Sequence, residues 1–145
     1  MALAGGSAVG LRALSVMMGV FLLFMGIGKI SWLTDTSTLS GRFEEWLQTA
    51  PPAGRWYLET VAIPGAVVFA RIVPLAEMAA GAALICGVLV RLAAALAFVM
   101  VLNFHFASNV LFHYSYLTNG YGLPVLGSLL ALAIGGARLP LTISK

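Results

Sequence analysis

The sequence predicts an all-α membrane protein, an antiparallel four-transmembrane-helix bundle with an amphipathic segment in its first extracytoplasmic loop. Three observations predict it. The chain is 61% hydrophobic and 9% charged, with mean hydropathy +1.00, whereas a soluble domain is about half apolar and about a quarter charged. Its apolar residues gather into four segments near spanning length, approximately 9–32, 64–87, 89–112 and 122–137. Backbone amides in lipid must be satisfied within the segment, which selects helices. Together these segments fill most of a single domain, 1–145, and leave no room for a separate soluble catalytic domain.

The first segment, Val9 to Trp32, has Arg12 as its only early cation and stays apolar to Ile30. That run exceeds a signal-peptide h-region, so an uncleaved anchor is expected. Leu33 to Ile63 is a long polar connection. Within it Leu39, Phe43, Trp46 and Leu47 recur at helical spacing opposite Arg42, Glu44, Glu45 and Gln48, and Pro51-Pro52 ends the pattern. This amphipathic helix is expected on the membrane surface, the alternative being a helix that touches only protein. The second span, Pro64 to Gly87, passes through Gly87-Val88-Leu89 into the third, Leu89 to Phe112, as a tight hairpin with Arg91 just beyond the turn. The fourth, Gly122 to Ala137, is the shortest and is expected to be extended by flanking residues.

With four spans both termini share a side, which carries Arg12, Arg91, Arg138 and Lys145 and no acid. The other side holds Lys29, Arg42 and Arg55 with Asp35, Glu44, Glu45 and Glu59. The bias of cations predicts both termini on the cytoplasmic side. All three tryptophans (Trp32, Trp46, Trp56) and all four tyrosines (Tyr57, Tyr114, Tyr116, Tyr121) then fall outside. An ordered outer cap is expected, as a docking surface for a partner or packed on itself. The net charge of +3 is scattered singly, which argues against nucleic acid. Cys86, the one cysteine, excludes an intrachain disulfide and reads as a buried packing thiol.

Seven residues form the candidate intramembrane polar site: Lys29, Arg71, Glu77, Asn103, His105, Asn109 and His113. On a continuous third helix His105, Asn109 and His113 share one face at steps of about 6 Å. Imidazoles about 12 Å apart do not hold one small metal ion, so no metal site is expected. Single-histidine ligation of haem or chlorophyll stays open, beside interhelical hydrogen bonding and contact with a quinone head. Arg71 lies about 8 Å below the outer boundary and Glu77 near mid-depth. Six residues separate them by about 120° around a straight helix, so they need not pair. An unpaired charge in hydrocarbon costs roughly 3 kcal/mol or more. Arg71 can snorkel outward; for Glu77 the partners expected by depth are Asn103 and Lys29. Pro74, between them, is a candidate kink. Gly26-Ile27-Gly28 and Gly81 read as close helix contacts rather than a nucleotide fingerprint.

A first span opening with Arg12 and closing in Gly26-Ile27-Gly28-Lys29, then Glu77, Gly81 and Gly87 before Arg91 at a tight turn, resembles the DoxX family of small bacterial four-helix membrane proteins. The resemblance runs from Arg12 to Gly136. Lys29, Glu77 and Arg91 match the family's recurrent charged positions; Arg71, His105 and His113 are not matched to any of them. It implies the fold, a membrane location, and an association with redox chemistry, since the family is named for its likeness to a subunit of a membrane thiosulfate:quinone oxidoreductase. The chain lacks the cysteine pairs of four-helix thiol oxidoreductases similar to vitamin K epoxide reductase.

Three functions follow as expectations. One is a component of membrane redox chemistry holding a quinone or passing protons near Glu77, His105 and Arg71. Another is an accessory subunit, bound to other membrane subunits or to copies of itself, that steadies a larger complex. The third and weaker is proton-coupled transport, for which four helices alone offer little room.

Overall fold

The computed structural model describes residues 2–143, and every regular element among them is helical. Six α-helices follow in order: α1 (Ala2–Ile27), α2 (Ser37–Thr49), α3 (Pro52–Tyr57), α4 (Ala66–Cys86), α5 (Val90–Ala107) and α6 (Leu123–Gly135). Three of them carry stretches long and apolar enough to cross a membrane, Gly6–Ile27, Ala66–Cys86 and Val90–Ala107; α6 is as apolar but shorter. The chain is thus a multi-pass membrane protein by its helices. Lys145, one of the cations that suggested an orientation, lies outside the described residues.

The four apolar helices pack as a ring in which α1 lies mainly between α4 and α6, and α5 between the same two from the other side. The closest pairing is α1 with α4, and the sequence permits it through glycine. A Cβ on Gly81 would stand 2.6 Å from the backbone nitrogen of Leu23 and 2.7 Å from the carbonyl oxygen of Gly19. Farther along, a Cβ on Gly26 would stand 2.8 Å from the Pro74 oxygen. Gly26 and Gly81 are therefore the close contacts expected of them. Gly28 is not, since its Cβ would meet only the carbonyls of Phe24 and Met25 on α1 itself, at ordinary distance.

At one end of this pairing Arg12 donates to the carbonyls of Leu84 (2.9 Å) and Ile85 (2.6 Å), and the Ser15 hydroxyl adds a bond of 2.8 Å to Leu84. These are among the last carbonyls of α4, which no intrahelical amide can satisfy. Just beyond, Gly87 takes φ +72° and Leu89 +47°, and the chain reverses into α5.

Two cores fill the ring. One runs through Leu22, Leu84, Ala94, Ala97, Leu129 and Leu132. The other lies at the opposite end, where Leu39 and Phe43 of α2 pack with Leu58, Ala62, Ala70 and Val73. The apolar face of α2 is thus buried against its own protein, where α2 packs as a lid over α4 and α5.

Three further expectations are corrected. The third span is not one helix to Phe112: α5 ends at Ala107, Asn109 turns left-handed at φ 61°, and two short 3₁₀ turns carry Val110–Phe112 and Tyr114–Thr118. Asparagine tolerates that conformation through its short polar side chain. Flanking residues do not lengthen α6, which begins at Leu123-Pro124 and stops before Gly136. Cys86 is exposed, being the last residue of α4 and on its outward face. The aromatic end is mixed: Trp32 and Tyr116 are buried, while Trp56, Tyr114 and Tyr121 are exposed.

Candidate functional site

Lys29 follows the end of α1, in the turn that begins at Gly28, and its butyl arm turns back toward α4. Its ammonium donates to both oxygens of Glu77, at 2.7 and 2.8 Å, and to the Met25 carbonyl at 3.2 Å. The Glu77 side chain is 7% exposed and that of Lys29 17%. All three ammonium protons therefore have acceptors. The carboxylate has roughly four lone-pair sites and uses two on Lys29, so acceptor capacity remains. Of the two partners expected for Glu77, the structure brings Lys29.

The pair opens on a cavity of about 220 Å³ set among α1, α4, α5 and α6 and closed over by α2. Its walls are mostly apolar and aromatic, with Phe21, Trp32, Trp46, Phe104 and Tyr121 among them, and its polar groups are Lys29, Glu77, Arg42, His105 and Ser108. Lys29 also stands 5.9 Å from the Trp32 ring centroid, within cation–π range. Arg42 reaches the cavity from the polar side of α2 and is otherwise exposed, with no hydrogen bond or ion pair of its own among the described residues.

His105, on the last turn of α5, is met by Tyr116, whose hydroxyl lies 2.9 Å from Nδ1 with the two rings edge to face. Burial raises the pKa of the Tyr116 phenol, so that group stays protonated and able to donate. With the phenol donating to Nδ1 the neutral imidazole carries its proton on Nε2, and with the phenol accepting from Nδ1–H, Nε2 is an acceptor; the geometry admits both.

The remaining candidates are elsewhere. Asn103 accepts a 2.6 Å bond from the Tyr57 hydroxyl, tying α3 to α5, and does not reach Glu77. Arg71 is exposed and folds back along its own helix to the Val67 carbonyl at 2.8 Å. Asn109 and His113 lie past the end of α5; the Asn109 amide stands 3.4 Å from His113 Nε2 and 3.5 Å from the Thr49 carbonyl. The polar stripe is broken by the left-handed turn at Asn109, and only His105 of the three lines the cavity.

Sequence reasoning missed Arg42, Trp32, Trp46 and Tyr121 as wall residues. The signal present was the helical spacing of Leu39, Phe43 and Trp46, which shows that α2 has something to cover but not what. Among the described residues no group of three or more His, Cys, Asp or Glu stands close enough to hold a metal ion. The cavity, at about 220 Å³, is below the roughly 300–1,000 Å³ of drug-sized ligand sites.

Neither the curated proteins nor the solved structures yield a match to this chain. A family profile does: that of DoxX matches residues 10–113, the stretch that holds most of α1, the α2 lid, Glu77 and His105. With most of its length inside that match, the chain belongs to the DoxX family.

Proposed function

We propose that this DoxX protein is a component of bacterial inner-membrane redox chemistry and that its cavity receives the ring of a quinone. All four apolar helices cross the membrane as one antiparallel domain, both termini on the cytoplasmic side and the α2 lid outside. The observation that supports the reading is the pocket itself, a ring-sized apolar space where an ion pair, an imidazole and a guanidinium converge among aromatic walls.

The residues divide the work by what they have left to offer. Lys29 has no free proton and serves to hold Glu77 in place as a carboxylate. Arg42 is the free donor for a ring carbonyl, joined by His105 Nε2–H in the tautomer whose Nδ1 accepts from Tyr116. Glu77 has acceptor capacity for the hydroxyls of the reduced ring. Trp32 and Trp46 supply faces for stacking, which pairs of rings prefer offset or edge on. The bound quinone supplies the electron-accepting chemistry, and the electrons come from another subunit.

Titration of the purified protein with a short-chain quinone tests this, because Trp32 and Trp46 report on the cavity by fluorescence quenching. Saturable quenching is expected, weakened at least about tenfold in the Glu77→Gln, His105→Ala double variant if each lost group contributes a hydrogen bond of about 1 kcal/mol. Equal quenching in both proteins removes the site.

A second reading is supported by the exposed rings of Trp56, Tyr114 and Tyr121 at the lid end. Aromatic residues are enriched at protein interfaces, and this end would dock an accessory partner or a second copy. Co-purification in mild detergent separates the two, since a chain that migrates alone under all gentle conditions is not an accessory subunit.

A further inference from the structure

The end of the ring opposite the ion pair carries a second cleft, of about 280 Å³, between the α4–α5 turn, the first turn of α5 and the segment that follows α6. Its charged residues are Arg91 and Arg138. The five acids of the sequence, Asp35, Glu44, Glu45, Glu59 and Glu77, contribute none of its lining. Arg91 uses one N–H, Nε, on the Ala133 carbonyl at 3.0 Å, so its terminal nitrogens stay available. Arg138 makes no hydrogen bond or ion pair among the described residues and holds φ +57°.

The cleft is built rather than frayed. Leu139 is buried in the core, the Ile143 amide donates to the Cys86 carbonyl at 3.2 Å, and the Thr142 hydroxyl donates to the Leu139 carbonyl. The tail is thereby strapped back across the end of α4. Two nearby helix ends present carbonyls that would repel an anion, but Arg12 covers those of α4 and Arg91 one of α6. The N-terminus of α5 opens on the same cleft and adds positive potential. Around the rim stand exposed apolar side chains: Leu89, Leu92, Leu141 at 89% and Ile143 at 77%.

From the two arginines, unopposed among the described residues, and this apolar rim we infer that the cleft binds the phosphodiester head of an anionic lipid. Guanidinium forks match phosphate oxygens, basic pockets at helix ends take anionic headgroups, and the leucines and isoleucine lie where acyl chains leave the head. The bound lipid cements the tail to the α4–α5 turn. The site is separate from the quinone cavity and stands or falls without it.

Native mass spectrometry of the full chain, released from micelles doped with equal phosphatidylglycerol and phosphatidylcholine, tests it. The expected result is preferential retention of phosphatidylglycerol, reduced about fivefold for each arginine removed in Arg91→Gln and Arg138→Gln. Arg138→Gly removes the charge while relieving the left-handed backbone, so it keeps the fold and still shows the reduction of about fivefold. Equal retention of the two lipids, or unchanged retention in Arg138→Gly, overturns the inference. Displacement of phosphatidylglycerol by millimolar inorganic phosphate also overturns it, in favour of a free-anion site.

Discussion

Lys29 and Glu77 show how one pair of side chains fixes both a bundle and a site. The carboxylate sits deep in α4, its partner arrives from beyond the end of α1, and both chelating distances are below 3 Å, at 2.7 and 2.8 Å. Removing one member leaves a charge without its counterion, which in a buried pair costs about 3–5 kcal/mol, whereas replacing both with apolar residues is near neutral. Glu77→Leu and Lys29→Met are each expected to lower the SDS-unfolding midpoint, and the double variant to recover most of the loss. A double variant no better than the worse single one would show that the pair is not coupled. The depth of Glu77 and its two candidate partners were legible in the sequence. The choice between them was not, because it depends on the Gly28 bend that turns Lys29 back and on Tyr57 occupying Asn103.

At the level of elements, the contact between α1 and α4 rests on absent side chains. The Gly81 Cα faces the backbone of α1 so closely that a methyl would meet Leu23 and Gly19 below 3 Å, at 2.6 and 2.7 Å. Gly81→Leu is therefore expected to force the helices apart and cost about 1–3 kcal/mol as overpacking, read as a lower melting midpoint with the Lys29–Glu77 contact loosened. Gly6→Ala makes a control, since a Cβ there meets nothing within 4 Å. The apolar runs of α1, α4 and α5 were legible because length and hydropathy alone define them. The end of α5 was not: Ser108 and Asn109 are ordinary enough in a helix that only the folded chain shows the turn. The lid was half legible. Its apolar spacing announced a buried face, but the surface it covers is assembled from residues on α4 and on the short helical segments before it, among them Leu58, Ala62 and Ala70.

For the molecule as a whole, the two ends differ in kind. One is aromatic, roofed by α2, and carries four of the five acids, Asp35, Glu44, Glu45 and Glu59, in its connecting segment; the other is aliphatic and basic, bound by Arg12, Arg91 and Arg138. The orientation proposed from this asymmetry is open to labelling. In a Cys86→Ser background, Thr38→Cys on the exposed side of α2 is expected to react with a membrane-impermeant maleimide in intact spheroplasts, and Leu141→Cys only after permeabilisation. The reverse pattern inverts the protein. Composition announced that this was a membrane chain, and in the structure Lys29 pairs with Glu77 while Arg91 donates to the Ala133 carbonyl. What composition does not encode is which charges meet, because meeting depends on bends and turns a few residues long.

The pairing of α1 with α4 also imposes an order on biogenesis. Lys29 lies 48 residues ahead of Glu77, and at about 5–20 residues per second a ribosome takes roughly 2–10 s to bring the acid out. Arg12 waits longer, for carbonyls 72 and 73 residues downstream. Through that interval the first helix stands in the bilayer with a naked ammonium at one end and an unanswered guanidinium near the other. The newborn chain is thus held provisional until α4 arrives, and a product truncated before Glu77 keeps both charges unmatched.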